Sequence, residues 1–337
     1  MSTSIASSRL VKAAHVGNAA ARRAIKRPWR ARGLVLGYHR ITAPSWDPWR
    51  LCVAPERFEQ QLATLSRTAD FVPLSELASR LHHKRRARPV VALTFDDGYA
   101  DNLHEALPLL EKYGAPATVF ISTAWIGRGE PFWWDRLSAI LQSIERMPSE
   151  VRLQIGDEEF SWQRPADHGD HARDRKQLLL AVWSRLMTAT DHDRRAALDQ
   201  LERLANPAPT DDTAGRPMTQ DELRRLASSP LIEIGAHTMT HCRLSELPTD
   251  AQFAEILGSR RQCEELVGEI PSSFAYPFGA FNAVTPELVR SAGFERACST
   301  ENELCWAGSD TMLVPRVFVW NHTARQFSAF MRMQRLL

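Results

Sequence analysis

Two adjacent carboxylates, Asp96 and Asp97, close an apolar run, Pro89-Val90-Val91-Ala92-Leu93, that reads as a short buried strand. Like charges this close raise each other's pKa unless a cation or a proton separates their roles. The economical arrangement is a division of labour, with one carboxylate on a metal and the other handling protons. A plain turn, in which Asp-Gly supplies a favourable positive φ, is the competing reading of these residues alone. A second group, His237-Thr238-Met239-Thr240-His241, directly follows an expected strand at 232–236. Two histidines four apart share one face of a helical turn and can hold a single cation, although such pairs also serve simply as caps. A third, Tyr276-Pro277-Phe278-Gly279, again turns a strand into a loop. Turns of this kind expose backbone N–H groups, which stabilise a developing oxyanion when aimed at it.

The elements that must position these groups alternate. Buried strands are expected at 33–39, 89–93, 117–121, 232–236, 273–276, 296–298 and 313–320, the first ending in His39. Helical spacing covers 55–67, 74–81, 103–113, 251–267 and 285–292. Strand, helix, strand in succession predicts parallel pairing with right-handed crossovers. About seven such strands fit an α/β fold, a distorted (β/α) barrel. In a parallel barrel every strand C-terminus opens on one face, so Asp96, Asp97, His237 and His241 are expected to converge there. Two histidines and one aspartate leave coordination positions open for water and substrate. Residues 127–215 break the alternation and read as a mostly helical insertion, with an Arg/Leu/Ala-rich helical run over 170–204 and an exposed linker over 206–213. The barrel is then 33–126 and 216–337. The basic turn 84–88 reads as a solvated loop.

The chain has 337 residues, 44% hydrophobic and 24% charged, with a net charge of +2. That charge makes no case for nucleic acid as a partner. Five scattered cysteines without C-x-x-C spacing predict free thiols. No apolar run is long enough to span a membrane, and no secretory signal is seen. Residues 1–32 hold Lys12, Arg22, Arg23, Lys26, Arg27, Arg30 and Arg32 and no acidic residue. Such a segment is either a basic helix lying on anionic lipid or a solvated tail.

Thr94-Phe95-Asp96-Asp97-Gly98, His237-Thr238-Met239-Thr240-His241 and Tyr276-Pro277-Phe278-Gly279, in this order, resemble the motifs of the polysaccharide deacetylases, carbohydrate esterase family 4. The resemblance covers roughly 33–125 and 216–320. It implies hydrolysis of an acetyl group from an amino sugar, with Asp96 as general base and Asp97, His237 and His241 as metal ligands. It also implies the backbone N–H of Phe278 at the oxyanion. Two departures stand out. Many members carry an arginine two residues before the proline of the third motif, where this chain has Ala275. Many also take a general acid from a C-terminal Leu-x-His, which has no match here; His322, in Asn-His-Thr, reads as a turn residue. Tyr38-His39 resembles the N-terminal strand of the poly-N-acetylglucosamine deacetylase branch, which makes His39 the expected acid. Arg316 is the nearest candidate to replace the missing arginine beside Asp96. Tyr276 is a further candidate supporting residue. Trp125, Trp133 and Trp134 are candidates for stacking on sugar rings, or for anchoring the insertion. Cys242 reads as a small buried residue.

The expected function is removal of acetyl groups from N-acetylated sugars, in an exopolysaccharide, a lipid-linked saccharide or a cell-wall glycan. Alternatives are a hydrolase of O-acetyl esters or of cyclic amides and imides on the same fold, and a non-catalytic carbohydrate-binding descendant. The expected cofactor is one divalent ion, with zinc first and cobalt, nickel, iron or manganese also acceptable to such ligands. The expected location is cytoplasmic or peripheral at the inner membrane face.

Overall fold

The computed structural model describes residues 32–82, 88–165, 171–205 and 215–334. The expected basic segment, save Arg32, the basic turn save Arg88, and the linker 206–213 lie outside the described residues. The principal sheet contains β1 (Arg32–Tyr38), β2 (Asp70–Phe71), β3 (Val90–Phe95), β4 (Ala117–Ile121), β5 (Ile232–Ala236), β6 (Ser273–Ala275), β7 (Arg296–Cys298), β8 (Cys305–Trp306) and β9 (Val317–Phe318). Seven of these run side by side in the order β7-β6-β5-β4-β3-β1-β8, while β2 adds to β3 and β9 to β1. All pairings are parallel except that of β1 with β8. The distorted α/β barrel expected from the alternation is therefore present, with extra two-residue strands too short to leave a periodic signal.

The sheet curls back on itself. Val314 bridges Cys298 of β7, and three residues later Val317 pairs with Leu36 of β1, so the segment 314–318 links one edge of the curl to β1. The strand expected over 313–320 is thus only β9, because the chain changes partner at Pro315 and Arg316. All six residues of β3 are buried, as expected for a strand covered on both faces. Helix α1 (Pro55–Thr68) buries Phe58, Leu62 and Leu65 against the sheet. The expected helix over 103–113 begins as a wider π-turn, Asn102–Ala106, before α2 (Leu107–Tyr113) ends at left-handed Gly114.

Close packing constrains β5. A Cβ added to Gly235 would strike the Phe120 ring and come within 3.1 Å of the Ser273 carbonyl. Gly235→Ala is expected to cost about 1–3 kcal/mol by overpacking. The check is a lower urea midpoint at unchanged m value.

Between β4 and β5 lie α3 (Trp133–Ser143), a β-hairpin of Glu150–Ile155 and Glu158–Gln163, α4 (His171–Leu186) and α5 (Asp191–Ala205). The hairpin is a difference from the helical expectation. Val151, Leu153 and Ile155 are buried on one face and alternate with exposed Arg152 and Gln154. This segment has its own apolar cluster, including Trp133, Leu137, Val151, Leu178 and Leu198, joined to the barrel through Tyr99 and Trp125. Among the described residues no helix is long and apolar enough to cross a membrane.

Candidate active site

Parallel register delivers the site residues to one mouth. Tyr38 pairs with Phe95, which places His39 beside Asp96. Ile121 pairs with Ala236, which places the start of the His237 loop beside β4. At the tip of β3, Asp97 (φ 76) and Gly98 (φ 81) both take left-handed backbone. A Cβ on Gly98 would lie 2.9 Å from Ile121, so glycine is required there. The turn and the site are therefore the same feature rather than rivals.

Asp97 Oδ1 lies 3.1 Å from His241 Nε2 and 3.6 Å from His237 Nε2. One ligand atom from each of the three residues lies within 4.8 Å of the others. His237 Nδ1 is 2.8 Å from the Ala275 carbonyl, an arrangement that puts the proton on Nδ1 and leaves Nε2 free toward Asp97. Burial pushes the His237 pKa down to about 4, which favours the neutral imidazole a metal needs. Burial works to raise the Asp97 carboxyl, but His241 beside it holds it well below the carboxylate range. Asp97 Oδ1 and His241 Nδ1 are buried without a hydrogen-bond partner. Buried polar atoms left this way around converging nitrogens fit a divalent cation.

The two histidines do not share a helical turn, contrary to the expectation from their spacing. Residues 237–243 form a bent loop in which Thr238 (φ 62) and His241 (φ 61) are left-handed. The Thr238 hydroxyl accepts from the His241 N–H, and Glu255 of α6 (Thr249–Val267) accepts from the N–H groups of Met239 and Thr240. Among the described residues only five non-glycine positions have positive φ. Asp97, Thr238, His241 and Phe278 are four of them, so backbone strain collects at this mouth.

Asp96 has a different partner. Arg316, fully buried, donates from Nη1 to Asp96 Oδ1 at 2.6 Å and from Nη2 to Oδ2 at 2.8 Å. Its Nε donates to the Ser299 carbonyl, and Phe120 and Phe318 lie against the guanidinium. Burial is the largest single influence and would raise the Asp96 carboxyl, but the charge and hydrogen bonds of Arg316 together with the neighbouring His237 keep the group below its ordinary value. His39 is half-buried and its ring stacks on Phe318, 5.3 Å between centroids.

Other expected residues sit elsewhere. Trp125 and Trp134 are buried, each packed with Phe132, so these rings anchor the segment after β4 and offer no open face to a sugar. Trp133 is buried as well. Trp134 nevertheless touches the site, its ring 4.8 Å from that of His241. Tyr276 is buried with its hydroxyl donating to the Met312 carbonyl, a supporting position away from the mouth. Phe278 is 41% exposed and its ring lies 4.6 Å from His241. His322 stacks with Phe330 away from the carboxylates, and burial raises the Cys242 thiol to about 12. Sequence reasoning missed Glu255 altogether; an acid on a helix gives no sign that it grips loop residues fifteen and sixteen positions earlier. It also missed Trp320, half-exposed just past β9 with Arg50 against its ring.

The Polysaccharide deacetylase family profile matches residues 83–161 and 193–297. YxkH of Bacillus subtilis strain 168, whose name places it among polysaccharide deacetylases, is 32% identical over 269 residues. That match covers 79% of this chain and 64% of YxkH, so the chain spans less than two thirds of that relative. Among solved structures, Streptococcus pyogenes deacetylase PplD in complex with acetate aligns with TM-score 0.58 at 17% identity, over 90% of this chain and 99% of its own. IcaB from Ammonifex degensii aligns with TM-score 0.55 at 19% identity, over 89% of this chain and 97% of its own. These two likenesses support the barrel fold. With the profile covering more than half of its length, and with its three motifs gathered at one barrel mouth, this chain belongs to the polysaccharide deacetylase family.

Proposed function

We propose that this protein is a metal-dependent hydrolase that removes acetyl groups from N-acetylated sugars of a polysaccharide or glycan intermediate. The observation that carries the reading is the separation of two adjacent carboxylates: Asp97 faces two histidine nitrogens, while Asp96 is held by Arg316. In this reading 33–126 and 216–337 form the catalytic barrel and 127–215 an insertion.

Asp97, His237 and His241 would hold one divalent ion, zinc first by this donor set, with cobalt, nickel, iron or manganese as alternatives. When bound, such an ion polarises the acetyl carbonyl and lowers the pKa of water. Asp96 takes the water's proton as general base. Arg316 keeps that carboxylate ionised and fixes its orientation, and each carboxylate oxygen retains a lone pair for the incoming proton. The backbone N–H of Phe278 donates to the tetrahedral oxyanion. His39, protonated, donates to the leaving amine so that the amino sugar departs neutral.

The test is acetate release from chito-oligosaccharides and from O-acetylated glycans, with chelator and with metal added back. Release from the N-acetyl substrates, lost on chelation and restored by one divalent ion, is the expected result. Release only from O-acetyl esters would assign the ester reading. No release from any saccharide, alongside hydrolysis of small cyclic amides, would overturn the deacetylase reading.

A further inference from the structure

The tripeptide His39-Arg40-Ile41 is gripped along its length by side chains from two different parts of the molecule. Asn102, in the π-turn, donates from Nδ2 to the His39 carbonyl at 2.9 Å. Asp101 accepts from Arg40 Nε at 3.1 Å through one oxygen and from the Ile41 N–H at 3.0 Å through the other. The third member comes from α3. Asp135 Oδ1 lies 3.7 Å from Arg40 Nη1, and its Oδ2 accepts from the Tyr99 hydroxyl at 2.7 Å. Arg40 also lies over the Tyr99 ring at 5.0 Å, and Tyr99 accepts in turn from Trp134 Nε1 at 2.9 Å. The Arg40 side chain is 8% exposed and both carboxylates 13%, so the pairs are screened little.

We propose that Asp135 is a positioning residue for His39, holding it through Arg40, so that the insertion is a working part of the hydrolytic site. The argument is geometric. An arginine clamped between two carboxylates has its guanidinium fixed at both ends, and it is the residue next to His39. Without Asp135, Asp101 is the one carboxylate left on Arg40, beside the face of Tyr99, and the one grip on residues 39–41 that comes from α3 is gone. Burial pushes the Asp135 carboxyl up to about 7 against the opposing charge of Arg40, and the side chain is held in place between Arg40 and the Tyr99 hydroxyl. This inference rests on the proposed role of His39 as acid.

The experiment compares Asp135→Asn, Asp135→Glu and Arg40→Lys with the wild-type protein. Asparagine keeps an acceptor for Tyr99 but loses the charge, and lysine reaches one carboxylate instead of two. Asp135→Asn and Arg40→Lys are expected to lower kcat about tenfold to hundredfold with KM nearly unchanged. Metal content should stay at the wild-type level, the His39 ring signals in NMR should move, and Asp135→Glu should recover part of the loss. Glu130→Gln, which breaks an exposed pair with Arg195 in the same insertion, should change none of these. Unchanged kcat and unmoved His39 signals in both Asp135→Asn and Arg40→Lys would overturn the proposal, as would a fall explained by lost metal. If Asp135→Asn does not fold, Arg40→Lys carries the test. If the wild-type protein releases no acetate from any saccharide, the deacetylase reading fails, while the His39 signals still decide whether Asp135 positions that ring.

Discussion

Arg316→Met is expected to destabilise the protein by about 3–5 kcal/mol, because it leaves the Asp96 carboxylate buried without its cation. Asp96 is 3% exposed and Arg316 fully buried, so neither group can turn to water for relief. Two hydrogen bonds at 2.6 and 2.8 Å make the pair bidentate. The companion variant, Asp96→Asn with Arg316→Met, removes both charges. It should recover much of the stability lost by Arg316→Met alone, while remaining inactive. Chemical denaturation of the two single variants and the double variant closes the cycle. Equal additive losses would show that the two side chains do not depend on each other.

The second large effect separates the adjacent carboxylates. Asp96→Asn is expected to lower acetate release by roughly 10²–10⁴-fold, the range of a lost general base, while the protein still takes up its metal. Asp97→Asn is expected to lose the metal itself, since amide oxygen replaces a charged ligand between His237 and His241. Metal content after dialysis, measured beside activity, reads both. Loss of metal from Asp96→Asn, or full retention in Asp97→Asn, would reverse the assignment made here.

Much of this arrangement was legible because buried parallel strands announce themselves. Val90 to Phe95 and Ala117 to Ile121 are apolar runs interrupted only by Thr94 and Thr118, and a polar group at the end of such a run is expected at a strand tip. The loop from His237 was legible only in part. Spacing of four suggests a helical turn, but φ values of 62 and 61 at Thr238 and His241 are imposed by contacts with Glu255 and with β4, which one sequence does not display. Arg316 was found by default rather than by pattern, since β9 is two residues long and its register is a tertiary fact. The tryptophans illustrate a real ambiguity: the same side chain serves a sugar or a core, and only packing against Phe132 decided for the core. The hairpin 150–163 is a different case. Its alternation and Gly156-Asp157 turn were visible signals, overlooked among helical neighbours.

The segment that closes the barrel also supplies the partner of Asp96. The proposed metal ligands and base all lie at or before His241, yet the cation for Asp96 arrives only with residue 316, beyond β7 and β8. The segment that carries Arg316 to Asp96 is the same one that bridges β7 at Val314 and pairs with β1 at Val317 and Phe318. Closure of the curl and the pairing of Asp96 are thus one structural event: a change that undocks Val317 and Phe318 from β1 also withdraws Arg316 from the carboxylate.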